Sequence, residues 1–158
     1  MERILTERFE RALVTAARLH GDQNRKGSDV PYVAHLLAVT SLVLEYGGDE
    51  DAAIAALLHD AAEDQGGHET LERIRAAFGD TVAQTVRECS DTLSDPKPAW
   101  RVRKQDYIAS IPGRSPRAIL VTAADKLHNA RCILAGHRQE GEDVFEIFRG
   151  GTDGTLWC

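Results

Sequence analysis

Apolar residues recur at three- and four-residue intervals through almost the whole chain, and strand-like alternation is nearly absent, so the pattern predicts an all-α domain. An amphipathic helix is expected over residues 2–20. The run HGDQNRKGSDVP, residues 20–31, collects the Gly, Asp, Asn and Pro of a loop. It leads into YVAHLLAVTSLVLEYGG, an apolar helix that Gly47 and Gly48 stop. Asp49 is placed to cap the next helix, whose Ile54, Leu57, Leu58 and Ala61 fall at i, i+3, i+4 and i+7, and which the pattern carries unbroken to DQGG. Shorter helices are expected over 70–78, closed by Gly79, and from an Asp80 cap to about residue 89. SDTLSDPKP reads as a loop before a basic helix over 99–111. Ser115 and Pro116 supply a capping hydroxyl and a first-turn proline ahead of RAILVTAADKLHNARCIL, whose first half is apolar on nearly every face and is therefore expected to be a buried central helix. The final GGTDGTLWC reads as a glycine-rich turn ending near an aromatic that needs packing.

With 158 residues, 42% of them hydrophobic and 28% charged, the chain fits one folded domain and excludes disordered or fibrous classes. No apolar run reaches the roughly 20 residues of a membrane span, and MERILTERFERALVTAARL is too charged for a secretory leader, so a cytoplasmic protein is expected. Cys89, Cys132 and Cys158 are scattered and lack CxxC spacing, which points to reduced thiols. A net charge of −6 with no polybasic block argues against duplex nucleic acid and anionic membranes as partners. Arg25-Lys26 and RVRK, residues 101–104, are local exceptions that suit an anionic small molecule.

The chemistry concentrates in AALLHDAAEDQGG. An unbroken helix there would stack His59 above Glu63 and Asp60 above Asp64, with Leu57, Leu58, Ala61 and Ala62 bracketing them. A solvated polar face is the plain alternative, weakened by those apolar neighbours. Asp125, in ILVTAADKLHNA, is a carboxylate where burial is expected, and a buried carboxylate needs a cation, a metal or a hydrogen-bond network. Pairing with Lys126 or Arg131 would also satisfy it. His35, among core-like neighbours in PYVAHLLAV, completes with His59, Asp60 and Asp125 a two-histidine, two-carboxylate set suited to Mn²⁺, Fe²⁺ or Zn²⁺. Such sites form in the cores of helical bundles. His20, His68 and His137 are expected to be structural or exposed; His128, close to the Asp125 face, is expected to pack, with a supporting place behind the site as the alternative.

LLHDAAED, followed later by ADKLHNAR, resembles the HD-domain metal-dependent phosphohydrolases, whose signature is a distant His, a His-Asp pair and a later Asp. More narrowly, AARLHGDQNRKGSDVPYVAHLLAV, ALLHDAAED and RVRKQDYIASIPGRSPRAILVTAADKLHNAR together resemble the hydrolase domain of the RelA/SpoT family, and within it the stand-alone small alarmone hydrolases of the metazoan SpoT-homologue type. The resemblance covers nearly the whole chain. It implies a single HD-domain bundle over residues 1–158 with metal ligation by His35, His59, Asp60 and Asp125, usually of Mn²⁺. Glu63 and Asp64 match the acidic pair that activates or positions the attacking water. Arg25, Lys26, Lys104 and Asn129 match positions that contact substrate or hold the site together. Arg131 matches too.

Two departures stand out. Ala61 and Gln65 replace the threonines common in the family motif, and the chain reads Leu156-Trp157-Cys158 where relatives continue into a further helix, which is therefore expected to be missing. The implied reaction is hydrolysis of the 3′-pyrophosphate of guanosine tetra- or pentaphosphate to GDP or GTP, without synthesis, since no synthetase domain fits in this length. The residues alone leave open another phosphorylated nucleotide, such as an adenosine alarmone or NADPH, and a catalytically silent nucleotide-binding domain.

Overall fold

The computed structural model describes residues 5–94, 96–148 and 150–157. Nine α-helices account for nearly all regular structure among them: α1 (Glu7–Leu19), α2 (Val33–Glu45), α3 (Glu50–Leu58), α4 (Ala61–Asp64), α5 (Gly67–Phe78), α6 (Asp80–Cys89), α7 (Trp100–Ser110), α8 (Pro116–Glu140) and α9 (Gly151–Trp157). Short 3-10 segments cover Ile111–Gly113 and Gly141–Ile147. The all-α expectation holds: among the described residues the only β geometry is an isolated antiparallel bridge, Asn24 with Pro31, which pins the loop between α1 and α2. None of the described helices is long and apolar enough to cross a membrane.

The bundle is built around α3. Every residue over 52–58 is fully buried, because α1, α2, α6 and α8 pack around the helix. Four of those seven residues are alanine, so neighbouring backbones approach closely, and a helix covered on all sides needs no polar face. Caps set its start. The Asp49 carboxylate accepts from the Ala52 N–H at 2.9 Å and is gripped from outside by Arg117 Nε at 2.9 Å. One residue earlier, a Cβ on Gly48 would stand 2.5 Å from Val43 Cγ1 and 2.8 Å from the Val43 carbonyl, so only glycine lets the chain turn this tightly from α2 into α3. Arg8 ties α1 to this end of the core through Glu50 at 3.0 Å, Asp51 at 2.8 Å and the Phe78 carbonyl at 2.8 Å.

Three expectations are corrected. The helix expected to run unbroken from Asp49 to DQGG is interrupted at His59 and Asp60, and the chain resumes as the single turn α4. The first half of α8 buries Ala118, Val121, Ala124 and Asp125 on one stripe, leaving Ile119 45% and Leu127 37% exposed, because α2, α3 and α6 cover only one side of it. Finally, past the turn at Gly150 the segment GTDGTLW folds as helix α9, with Trp157 packed on Trp100 at 6.0 Å and beneath Arg101 at 4.9 Å. The glycines permit this packing, since Gly154 lies directly against the Trp100 ring. Smaller shifts at helix starts accompany these: α5 begins at Gly67, and Asp80 is the first residue of α6 with Gly79 as its cap.

Removing the Asp49 cap has a defined expected effect. Asp49→Ala should lower unfolding free energy by about 0.5–2 kcal/mol in urea titrations. The Arg117 guanidinium holds the Asp49 carboxyl below its ordinary value of 3.8 despite partial burial. A depressed folded value means the contribution is complete above 3.8 and fades as pH falls through the lower one. The wild-type advantage should therefore be full at neutral pH and shrink as pH falls below about 4.

Candidate active site

Three segments converge on one point. α2 supplies His35, the break between α3 and α4 supplies His59 and Asp60, and α8 supplies Asp125. His59 Nε2 lies 3.0 Å from Asp60 Oδ2 and 3.8 Å from Asp125 Oδ1, while His35 Nε2 lies 3.2 Å from Asp125 Oδ1 and 3.8 Å from Asp60 Oδ2. Each imidazole thus faces both carboxylates. His35, His59 and Asp125 each present a ligand atom within 4.8 Å of the others, a spacing one metal ion can span. Asp60 Oδ2 stands beside this trio, next to both imidazoles.

His59 and Asp60 keep right-handed helical dihedrals through the interruption, and their side chains reach across to bring Nε2 and Oδ2 to 3.0 Å. His59 Nδ1 bonds the Ala56 carbonyl at 2.8 Å; since a carbonyl only accepts, Nδ1 carries the proton. His59 Nε2 is then a buried atom with no hydrogen-bond partner, although Asp60 is close. An orphaned imidazole nitrogen facing two carboxylates is the donor set a divalent metal requires, and these residues fit one.

Electrostatics follow from burial opposed by pairing. Burial lowers His35. It also works against the charged form of His59, but Asp60 and then Asp125 outweigh it and push that imidazole up to about 9. Burial alone would raise both carboxyls; instead the neighbouring His59 charge holds Asp60, and contacts with His35 and His59 hold Asp125, well below the usual carboxylate range. Tyr32 donates its hydroxyl to Asp60 Oδ2 at 2.6 Å, and burial together with the Asp60 charge keeps that phenol protonated. Asp125 Oδ1 accepts from Asn129 at 2.6 Å while Oδ2 meets Lys126 at 2.8 Å. The Lys126 pairing weighed from sequence is thus real, but it occupies only one oxygen.

The cluster opens into a polar cavity of about 220 Å³ that Glu63, Asp64, Lys104 and Asn129 also line. Glu63 and Asp64 diverge around its rim. Glu63 accepts from the Asp91 N–H at 3.0 Å and pairs with Lys97 at 3.2 Å, whereas Asp64 accepts from Gln23 at 3.2 Å. Lys104 meets Asp91 at 2.7 Å. Arg25 donates to Asn129 Oδ1 at 2.8 Å, so the α1–α2 loop is clasped to α8 one bond away from Asp125. Lys26 is exposed and lies in an adjoining groove of about 650 Å³ with Arg18, Asp22, Gln23, Arg25 and Tyr32. Arg131 is exposed on α8.

Three residues outside the expected site set, Tyr32, His128 and Asp91, also stand at it. Tyr32 sits three positions before His35, and His128 three after Asp125, spacings that put each one helical turn from a cluster residue. His128 Nδ1 lies 2.8 Å from His35 Nδ1, so it is more than a packing residue. Asp91 carries no local signal, because its partners Arg103 and Lys104 come from α7 across a loop.

The helical bundle gathers two histidines and two aspartates in its core beside the acidic residues Glu63 and Asp64. The chain belongs to the HD domain family, whose model matches residues 12–155. It is 40% identical over 119 residues to the guanosine-3′,5′-bis(diphosphate) 3′-pyrophosphohydrolase MESH1 of Xenopus tropicalis, covering 73% of this chain and 64% of that protein. It is 34% identical over 148 residues to a GTP pyrophosphokinase of Streptomyces coelicolor, covering 89% of this chain and 17% of that protein. A solved structure described as a metazoan orthologue of SpoT that hydrolyzes ppGpp superposes with a TM-score of 0.74 at 32% identity, covering 92% of this chain and 88% of that one. The chain therefore spans less than a fifth of the longest of these relatives.

Cys89 lines the floor of the cavity, where burial pushes its thiol up to about 12. Cys132 is exposed, and neither is in a disulfide; Cys158 lies outside the described residues. Iodoacetamide at neutral pH should label Cys132 and spare Cys89 in the native protein, as read by peptide mass spectrometry. Equal labelling of the two would contradict the half-buried placement of Cys89.

Proposed function

We propose that this chain is a metal-dependent phosphohydrolase that removes pyrophosphate from the 3′ position of guanosine tetra- or pentaphosphate, giving GDP or GTP, with Mn²⁺ as its ion and the cytoplasm as its place of action. The observation that carries this reading is the convergence of His35, His59, Asp60 and Asp125 beside Glu63 and Asp64 on one polar cavity. Similarity to MESH1 and to the metazoan SpoT orthologue supports the choice of substrate.

His35, His59, Asp60 and Asp125 would hold the cation, which when bound neutralises phosphate charge and acidifies water. Glu63, on the rim, takes a proton from the attacking water, and Asp64 orients it. Water attacks phosphorus, the bond to the ribose 3′-oxygen breaks, and that oxygen takes up a proton as pyrophosphate departs. Lys104 faces the phosphates inside the cavity, and Arg25 and Lys26 engage the nucleotide where the cavity meets the groove. Positioning plus fixed positive charge is what phosphoryl transfer asks of a protein. Asn129 holds the Arg25 loop against Asp125. The division of space fits the substrate: a small compartment of ionic walls for the pyrophosphate, and a larger, partly apolar groove for the nucleoside.

Pyrophosphate release from guanosine tetraphosphate should require Mn²⁺ and stop on chelation. Glu63→Gln and Asp64→Asn should each lower kcat by about 10²–10⁴-fold while metal content stays at the wild-type level. Wild-type turnover in both variants would defeat the assigned roles. Faster hydrolysis of an adenosine counterpart or of NADPH would move the substrate while leaving the reaction class standing.

A further inference from the structure

The two histidines of the cluster are held from behind in different ways. His59 is fixed by a backbone carbonyl, an acceptor that never donates. His35 is 1% exposed, and the partner of its Nδ1 is another imidazole: His128 Nδ1 at 2.8 Å, with the rings tilted and their centroids 4.9 Å apart. An imidazole either donates or accepts, so this contact can exist in two forms. In one, His35 Nδ1–H donates to His128 and His35 Nε2 is left with a free lone pair. In the other, His128 donates and the proton of neutral His35 sits on Nε2, where it blocks coordination.

We propose that His128 is the positioning residue that fixes His35 in its Nδ1-protonated tautomer, keeping the Nε2 lone pair directed at the centre shared with His59, Asp60 and Asp125. This rests on the reading of His35 as a metal ligand. Without an ion, the Asp125 carboxylate 3.2 Å from His35 Nε2 favours a proton there, and two features select the productive form once an ion is bound. A proton on His35 Nε2 would oppose a cation coordinating there, so an ion in the cluster favours the Nδ1–H form. His128 Nε2 in turn lies 3.6 Å from Cys132 Sγ, on the half-exposed side of α8, so its own proton has an outlet to sulfur and solvent when Nδ1 accepts. The relay runs from Cys132 through His128 to His35 across the α2–α8 interface, one turn along α8 from Asp125. Partners behind a metal-bound histidine orient the ring and raise its basicity, and losing them typically weakens metal binding by about 10–100-fold.

The test compares metal-stripped wild type, His128→Phe, His128→Asn and His35→Ala. Asn places its side-chain oxygen near the position of Nδ1 and can only accept there, whereas Phe keeps the ring and removes the acceptor. Calorimetric titration with MnCl₂ should show His128→Phe binding about 10–100-fold more weakly than wild type, and His128→Asn within about threefold of it. Thermal midpoints of the stripped proteins should be alike, because His128 is only partly buried; His128→Ala repeats the test without added bulk. In the Zn²⁺-loaded form, ¹⁵N-histidine spectra should place the His35 proton on Nδ1 in wild type and His128→Asn. Wild-type affinity in His128→Phe and His128→Ala, with His35→Ala impaired, would overturn the role of His128 alone. Wild-type affinity in His35→Ala would instead remove the ligand assignment and the proposal with it.

Discussion

Everything in this bundle is arranged around the cost of bringing two carboxylates and two imidazoles together inside an apolar core. An unpaired buried carboxylate loses several kcal/mol of hydration, and two of them near one point repel each other. Asp60 and Asp125 remain ionised there only because each faces both imidazoles and accepts a further hydrogen bond, from Tyr32 and from Asn129. The scaffold tolerates the arrangement because α3, fully buried from residue 52 to residue 58 and rich in alanine, delivers His59 and Asp60 from the middle of the core. Surface helices would place the same residues in solvent, where pairing is screened and the pull toward a cation is weaker.

Orientation is the second requirement, and it is met by groups that do not themselves enter the cluster. The Ala56 carbonyl sets the face His59 presents, and Asn129 braces Asp125 while receiving Arg25. That last link matters mechanically. Besides its own backbone bridge and the bonds of Gln23 to Asp64 and Gln65, the Arg25–Asn129 bond fastens the α1–α2 loop to the same helix that carries Asp125. A displacement of the loop is therefore felt at the cluster through two hydrogen bonds.

Much of this was legible in the sequence, and what was not has identifiable causes. Three-and-four periodicity located the helices, and the polar residues stranded in apolar runs, His35, His59, Asp60 and Asp125, stood out because burial demands an explanation from them. The interruption at His59 did not stand out, since Ala61 and Ala62 continue a strong helix pattern and the backbone stays right-handed helical through His59 and Asp60. Asp91 was invisible for a related reason: its partners lie 12 and 13 residues away, and a loop aspartate looks like any solvated one. The exposed half of α8 was misjudged because periodicity reports which residues are apolar and says nothing of how many neighbours the fold provides to cover them.

Asp91 also resolves an apparent contradiction in the charge distribution. The protein is acidic overall, yet the proposed reaction needs positive charge over an anionic substrate. Asp91, nearly buried, accepts from Arg103 at 2.6 Å and Lys104 at 2.7 Å, and its backbone N–H donates to Glu63 at 3.0 Å. One loop residue therefore sets where two cations and the candidate base stand relative to each other. Holding Lys104 against a carboxylate keeps an empty cavity from accumulating unbalanced positive charge, and it leaves the ammonium beside the space an incoming phosphate would fill. The phosphate then competes with a carboxylate already in place, so its binding exchanges one ion pair for another and avoids most of the cost of ordering a free lysine. The same exchange would loosen the grip on Asp91 without freeing it, because Arg103, 7% exposed and bonded also to the Pro98 carbonyl, stays behind.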